Sequence, residues 1–153
     1  MGVTRVLVPL GGLALGLAVA GALYVRAVPM VPSEWHADPL AAERTGRPND
    51  ALHAPGGDAA PWTYGGAPAE ALAALDRVAR ADGAEVLAGA PEECRMTWVQ
   101  RSGLMGYPDA ITARAEPSGN GAVISVWSRS RFGYDDLGVN ADRLSRWRAA
   151  LEG

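Results

Sequence analysis

The sequence predicts an α+β fold. It has an N-terminal transmembrane helix, followed by a small antiparallel sheet of four to five strands with two helices on one face. A helix-grip-like arrangement, with the sheet curved around the carboxyl-terminal helix, is a variant of the same layout. Three observations lead there. An uncharged apolar run, VLVPLGGLALGLAVAGALYV, occupies Val6 to Val25. Two period-two segments late in the chain are joined by PSGNG, Pro117 to Gly121, the composition of a hairpin turn. Two other segments, one before most of the strands and one after them, repeat apolar residues at helical spacing. That order places helices against an antiparallel sheet.

The run from Val6 to Val25 is about 30 Å long as a helix, the thickness of a hydrocarbon core. Arg5 and Arg26 bracket it and Tyr24 stands where an interfacial aromatic would. Ala18-Val19-Ala20 also fits a signal-peptidase site. However, the apolar run continues past it through Leu23 and Val25, which favours an anchor over residues 1–26. The expected location is the inner membrane, single-pass, with the C-terminal domain on the outer or periplasmic side. Residues 27–60 are rich in proline, glycine and acids and have no periodicity, the mark of an extended arm. The arm carries Trp35, which a free tether would not need, so it is expected to lie on the domain of residues 61–153.

Within that domain, Trp62 to Gly65 reads as a short strand. Pro68 opens a helix at a position that tolerates its missing N–H, with Leu72, Leu75 and Val78–Ala79 on one face and Asp82-Gly83 as its stop. Glu85 to Ala88 is a further strand. Cys94 to Ser102 alternates, with Cys94, Met96 and Trp98 facing the core and Arg95, Thr97 and Arg101 opposite. Ala110 to Glu116 groups Ile111, Ala113 and Ala115. Ala122 to Arg131 turns Ile124 and Val126 inward and Trp127, Arg129 and Arg131 away. Asn140 is expected to cap a last helix striped by Leu144, Trp147 and Leu151.

The chain has no lysine, so all 14 basic residues are arginine, and its net charge is −3. Nucleic acid is not an expected partner, because phosphate binding needs a concentrated basic footprint. From Ala27 to Glu92 four arginines face ten acids, whereas from Glu93 to Gly153 eight face seven. Cys94 is the single cysteine, which excludes an internal disulfide. His36 and His53 are the only histidines, and they lack metal-ligand spacing. No phosphate-cradling glycine loop, GxSxG or SxxK is present. No metal, cofactor or catalytic residue is therefore assigned.

WHADP (Trp35 to Pro39), RPND (Arg47 to Asp50), VQRSGLMGYPD (Val99 to Asp109) and SRSRFGYDDLGVN (Ser128 to Asn140) stand in order. Arg143 and Trp147 follow them. Over Glu34 to Leu151 this pattern resembles the bacterial family catalogued as domain of unknown function 1499. The resemblance implies a small envelope-associated domain, often behind an amino-terminal membrane segment, and no activity that could be carried over.

The residues singled out as a binding or structural motif are Trp35, His36, Asp38, Arg101, Arg129, Arg131, Asp135, Asp136 and Asn140. Two readings of SRSRFGYDDLGVN stay open. In one, Arg129 or Arg131 pairs with Asp135 or Asp136 and pins a strand-to-helix joint. In the other, the arginines grip an anion bidentately. The expected function is a binding or structural module for a lipid, small ligand or envelope protein. Its partners would be the lipid bilayer and an anionic ligand or envelope protein. The alternative is an envelope hydrolase using His36, Asp38 and a serine such as Ser102 or Ser130.

Overall fold

The computed structural model describes the backbone from Thr4 and the side chains from Leu15, through to Gly153. Helix α1 runs Thr4–Ala27. Among the described residues no helix is long and apolar enough to cross a membrane. The first part of the predicted span, Val6 to Ala14, lies outside the described side chains. The chain then forms one helical turn, α2 (Pro32–Trp35), and a 3-10 turn at Pro39–Ala41. Strands β1 (Asp50–His53) and β2 (Trp62–Tyr64) follow, then helix α3 (Pro68–Ala81). Strands β3 (Glu85–Ala90), β4 (Arg95–Arg101), β5 (Pro108–Ser118) and β6 (Gly121–Ser130) come next, and helix α4 (Val139–Glu152) ends the chain.

The fold is α+β, and its sheet has six strands instead of four to five. The order is β1-β6-β5-β4-β3, all antiparallel, with β2 also pairing β6. The additional strand is β1, which lies inside the stretch expected to be an extended arm. Ala51 packs into the main core, and Leu52 packs with Trp127 on the opposite face. With both faces covered, the four residues DALH have no reason to alternate, so they leave no period-two signal.

Helices α3 and α4 share one face of the sheet. Their Leu72, Leu75, Leu144 and Trp147 meet Trp62, Trp98, Ile111, Ile124 and Val126 in one buried cluster. Pro68 sits in the first turn of α3, and the Glu70 carboxylate accepts the Ala67 N–H at 3.0 Å, which satisfies an otherwise free donor. Trp98 and Trp147 pack edge to face at 6.0 Å, a favourable arrangement of ring quadrupoles. The β5–β6 hairpin closes on Gly119-Asn120 between paired Ser118 and Gly121, where PSGNG predicts it.

One expectation about the sheet changes. Cys94 is not a core residue of a strand. It ends a 3-10 turn in the left-handed region at φ 54° and is half-buried, and β4 begins one residue later. Trp127 and Arg129 do face away from the main core, and both are buried beneath the arm.

Candidate functional site

The arm covers the sheet face opposite the helices through a run of alternating rings and guanidinium groups. The Arg129 Cζ lies 3.9 Å from the Trp127 ring centroid and 5.3 Å from that of Trp35. Arg131 in turn lies 6.0 Å from the Trp35 ring and 5.7 Å from Phe132. Each such contact draws the cation toward the negative face of the ring. Arg129 Nη2 donates to the Trp35 carbonyl, and Arg131 Nη1 donates to the Pro29 carbonyl.

Arg129 is 8% exposed, yet no carboxylate pairs with it and its Nη1 has no hydrogen-bond partner. Its nearest anion, Asp50, is held by Arg44 Nε and Nη2 at 2.8 Å each and by Trp127 Nε1 at 2.7 Å. Burial pushes the Arg129 pKa down to about 10, with the Asp50 charge opposing it. The tryptophans repeat the pattern. Trp62, Trp98, Trp127 and Trp147 donate Nε1–H to His53, Asp76, Asp50 and Asp82 respectively. Trp35 Nε1, buried beside Arg129, donates to nothing.

Trp35, Trp127, Arg129 and Arg131 line a groove of about 450 Å³ between arm and sheet, and Arg47, Glu34, Glu43 and Asp50 complete its charged lining. The two unpartnered atoms are both donors. These two atoms can bind the oxygens of an anion, while the carboxylates of the lining stand elsewhere around the groove.

His36 lies beside this run. Its Nε2 accepts from Arg95 Nε at 3.0 Å. Arginine can only donate, so Nε2 carries no proton and Nδ1–H must donate to Thr97 Oγ1, 2.7 Å away. The chain continues from Thr97 to Thr112 at 2.9 Å and from Thr112 to the Trp35 carbonyl at 3.3 Å. Burial, then the Arg95 charge, lowers the His36 pKa, while Glu93 and Asp38 oppose them. Asp38 does not orient His36. It pairs with Arg114 and accepts the Leu40 N–H at 3.0 Å. Ser102 accepts the Tyr107 N–H, and Ser130 accepts from Asn140. The His36, Asp38 and serine groups of the hydrolase alternative therefore do not converge.

The segment Ser128 to Asn140 is a joint, but not the predicted one. Neither Arg129 nor Arg131 pairs with Asp135 or Asp136; both arginines turn toward the arm. Asp135 accepts the Leu137 N–H at 2.7 Å. Asp136 accepts the N–H of Gly138 at 2.9 Å and of Asn140 at 3.0 Å. Asp136 thus satisfies the start of α4, the role expected of Asn140. Gly133 and Gly138 take φ of 93° and 82°, which a side chain would resist.

Asn140 lies inside α4 and is fully buried. Its amide donates to Ser130 Oγ at 2.9 Å and Asp136 Oδ2 at 2.6 Å, and its Oδ1 accepts from Arg143 Nη1 at 2.6 Å. Arg143 also donates to Asp109 Oδ2 at 2.6 Å and to Ser128 Oγ at 2.9 Å. Asp109 and Arg143 are the buried ion pair of this region. They lie 34 positions apart, and no local pattern links them. Among the described residues no cluster of histidine, cysteine and acidic side chains could hold a metal ion.

The family model described as "Protein of unknown function (DUF1499)" matches residues 33–151. The chain belongs to the DUF1499 family. No curated protein and no solved structure matches it. In this DUF1499 domain the matched region starts at the arm, so the groove and the polar node around Asn140 both fall within the family unit. Arg101 works at its edge. Its Nη1 donates to the carbonyls of Val25 and Gly106 at 3.2 Å, and its Nη2 to Val28 at 2.9 Å. Arg101 thereby caps free carbonyls at the end of α1 and ties that helix to the domain.

Proposed function

We propose that this DUF1499 chain is a membrane-anchored envelope module that binds an anionic group in the groove between arm and sheet. The observation that carries the reading is Arg129: buried, without a carboxylate, its Nη1 idle beside the idle Nε1–H of Trp35. An unsatisfied buried donor costs about 1–3 kcal/mol, and more when charged. An oxyanion at that point would satisfy both donors and give Arg129 the counter-ion it lacks. The flanking indole rings suit a ligand with an apolar or planar part. Glu34 and Glu43 would repel a polyanion, so one carboxylate or one phosphate is the fitting group. Both idle atoms are shielded from solvent, so entry requires the Trp35 turn to lift.

The anchor part of the reading rests on the uncharged run Val6 to Val25 and on the continuous helix Thr4–Ala27. The C-terminal domain would then face the envelope.

The test is a ligand-dependent melting shift of the detergent-solubilised full chain, since a ligand that prefers the folded state raises its stability. Acetate, inorganic phosphate and a short-chain anionic phospholipid separate free anions from a lipid headgroup. At least one should raise the melting temperature of the parent and leave Arg129→Gln unmoved. If none shifts the parent, or if Arg129→Gln shifts equally, Arg129 only clamps the arm and the binding reading fails.

A further inference from the structure

We propose that the end of the domain from which α1 emerges docks on the lipid bilayer, with Leu104, Tyr134 and Leu137 entering the headgroup region. This rests on the anchor reading above. Leu104, Tyr134 and Leu137 are 83%, 71% and 89% exposed, and Met105, Tyr107 and Val139 are exposed near them in sequence. One exposed leucine is ordinary in a folded protein, whereas six exposed apolar side chains on two neighbouring loops call for an explanation. These residues come from two loops, 102–107 and 131–138, and both loops flank the end of α1.

Contacts fix the grouping. Arg26 Nη2 donates to the Leu104 carbonyl, which sets the height of the first loop against the end of the helix. The Tyr24 ring meets Phe132 edge on at 6.3 Å, and Phe132 meets Tyr107 at 6.0 Å. Val25, Tyr107, Phe132, Leu137 and Val139 share a cleft of about 540 Å³ with Asp109, Asp135 and Asp136. Aromatic side chains thus gather at the level where the apolar helix ends, the arrangement found where a protein meets the headgroups.

Leu137 adds an independent observation. It adopts φ 55°, a left-handed conformation that a leucine enters only at a cost, and Asp135 holds it there by accepting its N–H. The strain buries nothing, because the side chain points into solvent. A lipid surface is the occupant argued for because the apolar helix leaves the domain through this patch.

The experiment uses the full chain with Cys94→Ser, reconstituted in phosphatidylcholine vesicles. A bimane label is placed through Leu104→Cys, Leu137→Cys or Ser118→Cys. Ser118 is exposed at the far end of β5, about 30 Å along the strand from Pro108. Lipids brominated near the headgroup end of their chains should quench the labels at 104 and 137 and spare the one at 118. A carbonate wash reports the anchor separately. If the chain resists carbonate but positions 104 and 137 are no more quenched than 118, docking is overturned and the anchor stands. If the chain washes off yet both labels were quenched, docking stands and the anchor reading falls. Disulfide cross-linking of Leu137→Cys between chains, without quenching, would assign the patch to a second copy and overturn the proposal.

Discussion

His36 shows how a single residue can depend on its protonation state. It must be neutral to accept from Arg95, and a proton on Nε2 would set two donors against each other. Burial first, and then the Arg95 charge, make the folded chain resist protonation and place the pKa below the usual value of 6.5. The unfolded chain binds the proton first as pH falls. The stability contributed by His36 is thus complete above pH 6.5 and is lost as pH drops from there through the lower folded value. His53, which accepts from Trp62 Nε1 at 2.9 Å and is also lowered by burial, acts in the same direction. We expect the urea midpoint to fall between pH 6.5 and 5.5. His36→Gln, which can donate to Thr97 and accept from Arg95, should remove part of that slope. An unchanged slope in His36→Gln would mean that His36 does not report arm docking. Trp35 gives a second residue-scale test. Trp35→Phe removes the idle Nε1–H and keeps most of the ring, so stability should hold or rise in thermal melts. Trp35→Ala should lose about 1–2 kcal/mol with the half-buried ring.

At the scale of elements, the joint between β6 and α4 is organised by Asp109 and Arg143. Removing one member of a buried pair leaves the other charge uncompensated, at a cost of about 3–5 kcal/mol. Asp109→Asn should therefore unfold in clearly less urea than the parent, while Asp135→Asn costs only a loop hydrogen bond. Arg131→Gln and Asp135→Asn, which share no contact, should add within about 0.5 kcal/mol. Strong coupling in that second pair would restore the joint the sequence suggests. The contrast shows what was legible. Helices α3 and α4 and strands β4 to β6 follow from local periodicity, while β2 and β3 read only as short strands. Strand β1 did not, since DALH is short and covered on both sides. The arginine-aspartate assignment failed because proximity in sequence says nothing about which way a strand residue points. Arg129 and Arg131 face the arm, while Asp135 and Asp136 face the start of α4. Arg129 and Arg131 were legible with Trp127 as one face, but their stacking on Trp35 was not, because the arm and β6 lie about ninety positions apart.

At the scale of the molecule, the question is how the domain is held to its helix. The last carbonyls of a helix lack internal partners. Here Arg101 supplies donors to Val25 and Val28, while Arg131 reaches Pro29. The link is therefore a clamp of arginine side chains on backbone carbonyls, not a free tether. Arg101→Ala should open residues 27–32 to limited proteolysis without releasing the chain from the membrane. The whole construction presupposes that the helix is retained. Cleavage after Ala20 would leave only the last turns of α1, Gly21 to Ala27, docked on the domain. Retention keeps an uncharged span of about 30 Å, long enough for a bilayer core. In cell fractionation, the intact chain should stay with the membrane after carbonate treatment, and its mass should include residues 1–20. A chain beginning at Gly21 in the soluble fraction would make the run a signal peptide, and the arginine clamp would then hold a short surface helix and no anchor.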